Sequence, residues 1–300
     1  MMRVAIQSLT SGIIDAKRLA TKLGVAGYEI GFHRFPDGEL RVTVGPAAPV
    51  TIVYAPLDNP NDKLVGILIA CEALRRNGAE RLVLVAPYMC YMRQDTAFHA
   101  NEGISQRAIG RLLAGTFDRV ITVDAHLHRT RDIRSVFPGI EAENVSAVPA
   151  IADALRATGI APGTIVVGPD EESRCWVGDL ASRLGRAYAV GQKVRRSDRS
   201  VAISFTDLSI FAGRPVLIVD DIVSSGGTLI ACASALVSAG ASAIDVIITH
   251  ALFSPDALPS FASVGIRSVR STHSVPHPTN AIMLDDVLMD ALHREIMAAG

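Results

Sequence analysis

Short runs rich in Val and Ile alternate with longer stretches of helical period from one end of the chain to the other, and few folds accommodate that order. Parallel strands joined by crossover helices do so. Strand candidates fall at residues 4–8, 51–54, 82–86, 120–123, 164–167, 216–219 and 244–249, most of them ending at a polar residue, Gly or Pro. Between them, residues 64–76, 105–114, 172–184 and 228–239 repeat apolar side chains at helical spacing and stop near a Gly. Ala73-Leu74 and Gly78-Ala79 recur as Ala235-Leu236 and Gly240-Ala241, about half a chain later, each time between a helix and a strand. With 300 residues available, the pattern predicts an α/β protein of two tandem, similar domains, each a mainly parallel sheet flanked by helices. The boundary is expected near residues 145–149, giving domains of residues 1–146 and 147–300.

Composition narrows the partners. Apolar residues make up 49% of the chain and charged ones 20%, which excludes disorder and fits strands buried on both faces. Lys and Arg number 29 against 30 Asp and Glu, a net charge of -1, so no global field draws a polyanion or an anionic membrane. Neither nucleic acid nor membrane is an expected partner. The longest uncharged stretch, between Asp221 and Asp245, carries Ser-Ser-Gly-Gly near its start and Ser-Ala-Gly-Ala-Ser near its end, and reads as loop, helix and turn. Met1-Met2-Arg3 leads straight into Val4-Ala5-Ile6 with no export signal. Cys71, Cys90, Cys175 and Cys232 lie far apart and form no Cys-x-x-Cys, against a disulfide framework or a zinc knot. A cytoplasmic location is expected, where the Asn144-Val145-Ser146 sequon carries no meaning.

The most informative segment runs from Pro215 through Asp220-Asp221-Ile222-Val223 to Ser224-Ser225-Gly226-Gly227-Thr228. Small residues let the backbone wrap closely around a ligand, and their N–H groups converge where the following helix dipole favours negative charge. Adjacent carboxylates would repel a bare phosphate, so Asp220 and Asp221 call for hydroxyls or a cation next to them. A ribose phosphate satisfies both ends, its 5-phosphate in the loop and its 2- and 3-hydroxyls on the acids. An ordinary loop whose acid pair caps the helix or holds a metal is the other reading; four small residues in succession favour the first. No Walker loop and no Gly-x-Gly-x-x-Gly is present.

Other segments are less decisive by themselves. Arg34-Phe35-Pro36-Asp37-Gly38-Glu39 signals a hairpin turn. In Pro87 to Asp95, Arg93 offers a planar cationic fork for phosphate and Gln94 can read a base edge. His126 and His128, at i and i+2 after a strand, could form part of a zinc site, but no further ligand stands at the right spacing nearby. The charged run 191–199 reads by composition as a solvated loop.

Taken together and in order, these segments resemble the ribose-phosphate pyrophosphokinase family, closest to its shorter, archaeal-like branch. The Asp220–Thr228 stretch alone resembles a phosphoribosyl-pyrophosphate motif shared with type I phosphoribosyltransferases. The resemblance implies two tandem domains of type I phosphoribosyltransferase-like fold and transfer of the diphosphoryl group of ATP to ribose 5-phosphate. It implies that Phe35, Asp37, Gly38 and Glu39 reach into a neighbouring subunit of a homo-oligomer and help hold ATP there, together with Arg93, Gln94 and Asp95. It further implies His126 and Asp170 beside Mg²⁺, ribose 5-phosphate on Asp220, Asp221, Ser224, Ser225, Gly226, Gly227 and Thr228, and Lys193 and Arg195 as catalytic cations on a mobile loop.

Two rivals are a phosphoribosyltransferase, which would use only half the chain, and a catalytically silent regulatory paralogue, which would have no need of the full set. The sequence departs from the family at Glu171-Glu172-Ser173, where most members carry small residues, and at Asn101 and Gly103. Extra carboxylates beside a metal-triphosphate are expected to alter cation preference or regulation.

Overall fold

A computed structural model describes residues 3–130, 132–197 and 200–299, without the side chains of residues 194–197, 200, 201, 298 and 299. They gather into two units. In the first, β1 (Val4–Leu9) leads through a short turn into α1 (Ile13–Leu23). That helix stops at Gly24, whose φ of 66° suits a residue without a Cβ. β2 (Ala26–Arg34) lies parallel to β1 and turns back into the antiparallel β3 (Leu40–Thr43). Then come β4 (Val50–Tyr54), α2 (Pro60–Arg76), β5 (Arg81–Ala86), α3 (Ser105–Ala114), β6 (Arg119–Val123) and β7 (Glu141–Val145). The sheet order is β3-β2-β1-β4-β5-β6-β7. Nearly every residue of β4, β5 and β6 is buried, as strands covered on both faces require.

The second unit contains α4 (Val148–Thr158), β8 (Ile165–Gly168), α5 (Arg174–Leu184), β9 (Tyr188–Val190), β10 (Gln192–Ser197) and β11 (Ser200–Ser204). It continues with β12 (Pro215–Val223), α6 (Gly227–Ser238), β13 (Ala243–Ala251), α7 (Leu258–Ser263), β14 (Ile266–Thr272) and β15 (Asn280–Ile282). Its main sheet is wholly parallel, in the order β15-β14-β13-β12-β8-β9. Ile165, Val167, Val216, Ile218, Val246 and Ile248 pack with Phe211 and Phe261 as its core. β10 and β11 form a separate antiparallel pair.

Three local expectations change. Residues 192–197 are a strand rather than a loop, because Lys193, Val194 and Arg195 find backbone partners in Ile203, Ala202 and Val201. β12 runs four residues past 219, so Asp220 and Asp221 stand within a strand, where Asp220 pairs in register with Ile248. The C-terminal part of the chain is also not one continuous domain. From Leu284 onward it belongs to the first unit, as do residues 274–276.

The physical reason is visible in α8 (Asp285–Ala299), which packs on α1, β1 and β7. Glu295 accepts from Arg81 at 2.7 and 2.9 Å and from the buried Arg119 at 3.0 Å, while Asp285 accepts from Arg18 at 2.9 Å. No described helix is long and apolar enough to cross a membrane.

Candidate active site

In open parallel sheets, ligands bind at the carboxyl edge where the strand order reverses. In the second unit that point lies between β8 and β12: the chain steps outward from β8 to β9, then continues from β12 on the other side. Asp170 follows β8, and Asp220 to Thr228 end β12 and open α6. The sequence motifs thus meet where the topology calls for a ligand.

Ser224, Ser225 and Gly227 are exposed, Thr228 is half-buried and Gly226 is buried. Gly226 has φ 78°, and a Cβ there would lie 2.4 Å from the Phe261 ring, so only glycine fits. At Gly227 a Cβ would meet nothing closer than Ser225 Oγ at 3.9 Å. One glycine shapes the turn and the next leaves open space in front of it. No side chain caps α6, so its first backbone N–H groups remain for an anion.

Asp220 and Asp221 are half-buried, and their carboxylates curl onto the backbone. Asp220 Oδ1 accepts from the Asp221 N–H at 3.1 Å and Asp221 Oδ1 from the Ile222 N–H at 2.7 Å. Burial, then the like charges of Asp221 and Asp170, push the Asp220 carboxyl well above its ordinary value, and Lys193 opposes them only in part. A group held so is a strong acceptor for sugar hydroxyls and a poor neighbour for phosphate.

Asp170, Glu171, Glu172, Gln192 and Lys193 line a cleft of about 450 Å³. Asp170 Oδ1 accepts from the Glu172 N–H at 3.1 Å, and Oδ2 is ion-paired with Lys193 Nζ. Burial pulls the Lys193 ammonium down, but Asp170, Asp220 and Glu172 outweigh it and the net shift is upward, so Lys193 stays charged. Ser173, fully buried, donates its hydroxyl to the Asp170 carbonyl at 2.5 Å, and it sits where a Cβ on Gly168 would come within 1.8 Å. Glu171 is exposed and turned to Arg174 at 2.7 Å. Arg195 lies on β10, its side chain outside the described ones.

In the first unit the predicted residues form two groups. Arg93, Gln94 and Asp95 follow β5, and His126 follows β6, its neighbour in the sheet. Arg129 joins the two loops: its N–H and Nη1 donate to the Asp95 carboxylate at 3.0 and 2.9 Å. Burial raises that carboxyl and the Arg129 bonds lower it, with the lowering prevailing. Gln94 Oε1 accepts from Ser105 Oγ at the start of α3. The His126 and His128 rings lie 6.4 Å apart.

Tyr91, Asn101 and Asp124, with φ of 61°, 70° and 37°, are three non-glycine residues in the left-handed region on these same loops. Such strain gathers at functional sites. Phe35, Asp37, Gly38 and Glu39 stand apart in the β2–β3 turn, with β1 and β4 intervening before β5. There Phe35 N–H donates to the Glu39 carbonyl at 2.8 Å, Glu39 N–H to Asp37 Oδ1 at 3.2 Å, and Gly38 has φ 97°. Phe35 is 39% exposed.

Comparison with known proteins covers both units. The family model described as the N-terminal domain of ribose phosphate pyrophosphokinase matches residues 4–116, and that of a phosphoribosyl transferase domain matches residues 146–275. A ribose-phosphate pyrophosphokinase of Methanopyrus kandleri is 32% identical over 289 residues, covering 96% of this chain and 98% of that protein. The chain belongs to the ribose-phosphate pyrophosphokinase family. Another ribose-phosphate pyrophosphokinase, from Thermococcus kodakarensis, is 34% identical over 257 residues, 85% of this chain and 89% of that one. The crystal structure of phosphoribosylpyrophosphate synthetase from Mycobacterium smegmatis has the same fold, with a TM-score of 0.84 at 24% identity over 99% of this chain and 100% of that one.

For this ribose-phosphate pyrophosphokinase family member, three residues of the site escaped sequence reasoning. Arg129 acts through a contact between two loops that leaves no local signal, whereas Ser173 bonds only three residues back, to the Asp170 carbonyl, a turn contact that its residue type alone does not announce. Gln192, which lines the cleft, precedes Lys193, and only the onset of the strand marks it.

Proposed function

We propose that this chain is a ribose-phosphate pyrophosphokinase, moving the β,γ-diphosphoryl group of ATP onto the anomeric hydroxyl of ribose 5-phosphate to give phosphoribosyl pyrophosphate and AMP. One observation carries the reading: an uncapped helix start behind open glycine, directly after two strand-borne carboxylates, at the switch point of the second sheet. The loop from Ser224 to Thr228 grips the 5-phosphate, and Asp220 and Asp221 hold the 2- and 3-hydroxyls.

The anomeric oxygen attacks the β-phosphorus, the bond from that phosphorus to the bridging oxygen breaks, and AMP departs with that oxygen. Such a transfer depends on in-line positioning and on cations around the crowded phosphates more than on a strong base. Lys193 and Arg195 supply cations for the transferred group and the leaving oxygen, and the hairpin that carries them excludes water. Arg93, Gln94 and Asp95 serve the nucleotide.

Among the described residues no cluster of three His, Cys, Asp or Glu could hold a metal on its own. One carboxylate beside a triphosphate is nevertheless enough for Mg²⁺, which usually takes one or two protein oxygens and the substrate's phosphates. Asp170 would hold the ion in the second unit. When bound, the ion neutralises phosphate charge. With Glu171 engaged by Arg174, Glu172 is the extra carboxylate that bears on cation preference.

The Phe35–Glu39 turn, three strand positions from Arg93, makes sense as part of an ATP site completed by a second copy. Mixing Lys193→Ala subunits with Phe35→Ala subunits is therefore expected to restore activity that neither shows alone. The cytoplasm suits both substrates and four unpaired cysteines.

A coupled assay for AMP formed from ATP decides the reaction. AMP release that depends on ribose 5-phosphate is the expected result. Base-dependent pyrophosphate release would indicate a phosphoribosyltransferase, and neither activity would indicate a silent paralogue.

A further inference from the structure

Backbone N–H groups hold an anion well only when they already point the right way before it arrives. In the loop that opens α6, Ser224, Ser225 and Gly227 are exposed, so its shape has to be imposed from beneath. What lies beneath is the segment that follows β13. The Leu252 N–H donates to the Val223 carbonyl at 2.9 Å, tying down the last residue of β12. Farther along, Phe261 of α7 lies flush against Gly226, where a Cβ would come within 2.4 and 2.6 Å of two of its ring carbons.

Phe261 is 1% exposed and is itself held by a second ring. Phe253 meets it edge-on, with centroids 5.1 Å apart and planes at 69°, and the imidazole of His277 lies 4.5 Å from Phe253 on the other side. Offset and edge-on pairs of this kind hold rings in a fixed relative orientation.

His277 closes the row with polar bonds. Its Nε2 lies 3.1 Å from the Phe253 carbonyl, and its Nδ1 accepts from the Thr279 N–H at 3.2 Å. A carbonyl can only accept, so these two bonds fix the tautomer: Nε2 carries the hydrogen and Nδ1 the lone pair. Burial pulls the ring's pKa below its ordinary value, against the pull of the same carbonyl, and the imidazole is neutral at pH 7. His277 thus grips Phe253 twice, at its backbone and at its ring.

We infer that Phe261, with Phe253 and His277 behind it, is the positioning residue of the phosphate loop: a row of three rings that sets the Gly226 turn and with it the affinity for the sugar's phosphate. The inference rests on the reading above that Ser224 to Thr228 hold the 5-phosphate. It gives His277 an effect on a ligand two rings away. Rings that served the core alone would change stability and leave the folded chain's affinity where it was.

The test is equilibrium binding of ribose 5-phosphate and, separately, of ATP in MgCl₂ to the full chain, below the melting temperature of each variant, for the wild type, Phe261→Leu, His277→Ala and the double variant. Phe261→Leu is expected to weaken ribose 5-phosphate about tenfold, and His277→Ala roughly threefold to tenfold, with ATP bound as before. Because both act through Gly226, the double variant is expected to bind little worse than Phe261→Leu alone. In turnover the KM for ribose 5-phosphate rises while kcat holds. Unchanged ribose 5-phosphate affinity in either single variant overturns the row, as do full additivity of the two and equal weakening of both ligands, which would mean the fold had loosened at large. Where Phe261→Leu fails to fold, His277→Ala, at a half-buried position, decides alone. A wild type that binds ribose 5-phosphate yet forms no AMP from ATP sinks the proposed reaction and leaves the row to be judged by the variants; one that binds no ribose 5-phosphate overturns both.

Discussion

Lys193 and Asp170 share one cleft and one ion pair, which makes the lysine's role separable from sugar binding. Lys193→Ala is expected to lower turnover on the order of a hundredfold while ribose 5-phosphate binds as before. Single-turnover kinetics with a parallel sugar titration checks this; undiminished turnover would remove Lys193 from the chemistry. Asp220 behaves in the opposite sense, as a liability retained for function. Burial and the neighbouring acids raise its carboxyl above the ordinary 3.8, so the folded chain binds that proton more tightly than the unfolded one. Its contribution to stability is complete below the unfolded value and is lost as pH rises through the folded value. Asp220→Asn is therefore expected to melt higher than the wild type at neutral pH, to lose that advantage below about pH 4, and to bind ribose 5-phosphate less tightly. Melting temperatures that match at pH 7 would contradict the sign.

The opening of α6 divides its work between two glycines. Gly226→Ala forces a Cβ to 2.4 Å from Phe261 at φ 78°, so a fall of about 1–2 kcal/mol or more in stability is expected, measured by denaturant unfolding. Gly227→Ala meets no such wall. It is expected to keep the melting temperature and still weaken ribose 5-phosphate, because the new methyl enters the space in front of the helix; intact binding would count against the cradle. The shape of this loop was legible in the sequence because a tight turn into a helix is a local backbone requirement, written in consecutive small residues. The central strands were legible for a similar reason, since Leu82 to Ala86 must be apolar on both faces. The end of β12 was not, because two acids at 220 and 221 look like a loop unless the partner strand β13 is known. The β10–β11 hairpin hid likewise behind its charges. Asp95 was expected at the nucleotide from its motif, but its bond to Arg129 spans two loops and no spacing announces it.

Over the whole chain, the largest departure from the sequence reading is the return of α8 to the first unit. Its anchor is Glu295, 6% exposed, between Arg81 and the buried Arg119. Removing the carboxylate leaves Arg119 short of a partner, so Glu295→Gln is expected to cost about 3 kcal/mol, read from chemical unfolding. Burial raises the Glu295 carboxyl, but its two arginines outweigh that and hold it below 4.5. Its stabilisation is thus present above the unfolded value and lost as pH falls through the folded one, and the variant's melting temperature should fall less steeply in acid than the wild type's. Contacts between positions such as 81 and 295 leave no trace in local pattern, which is why a boundary near residue 146 could be read but not the chain's return. That return also orders events during synthesis. A ribosome that has finished β7 must translate the entire second unit, on the order of ten seconds of elongation, before the helix that seals Arg119 exists. Until then the half of the protein made first waits, incomplete, for the half made last.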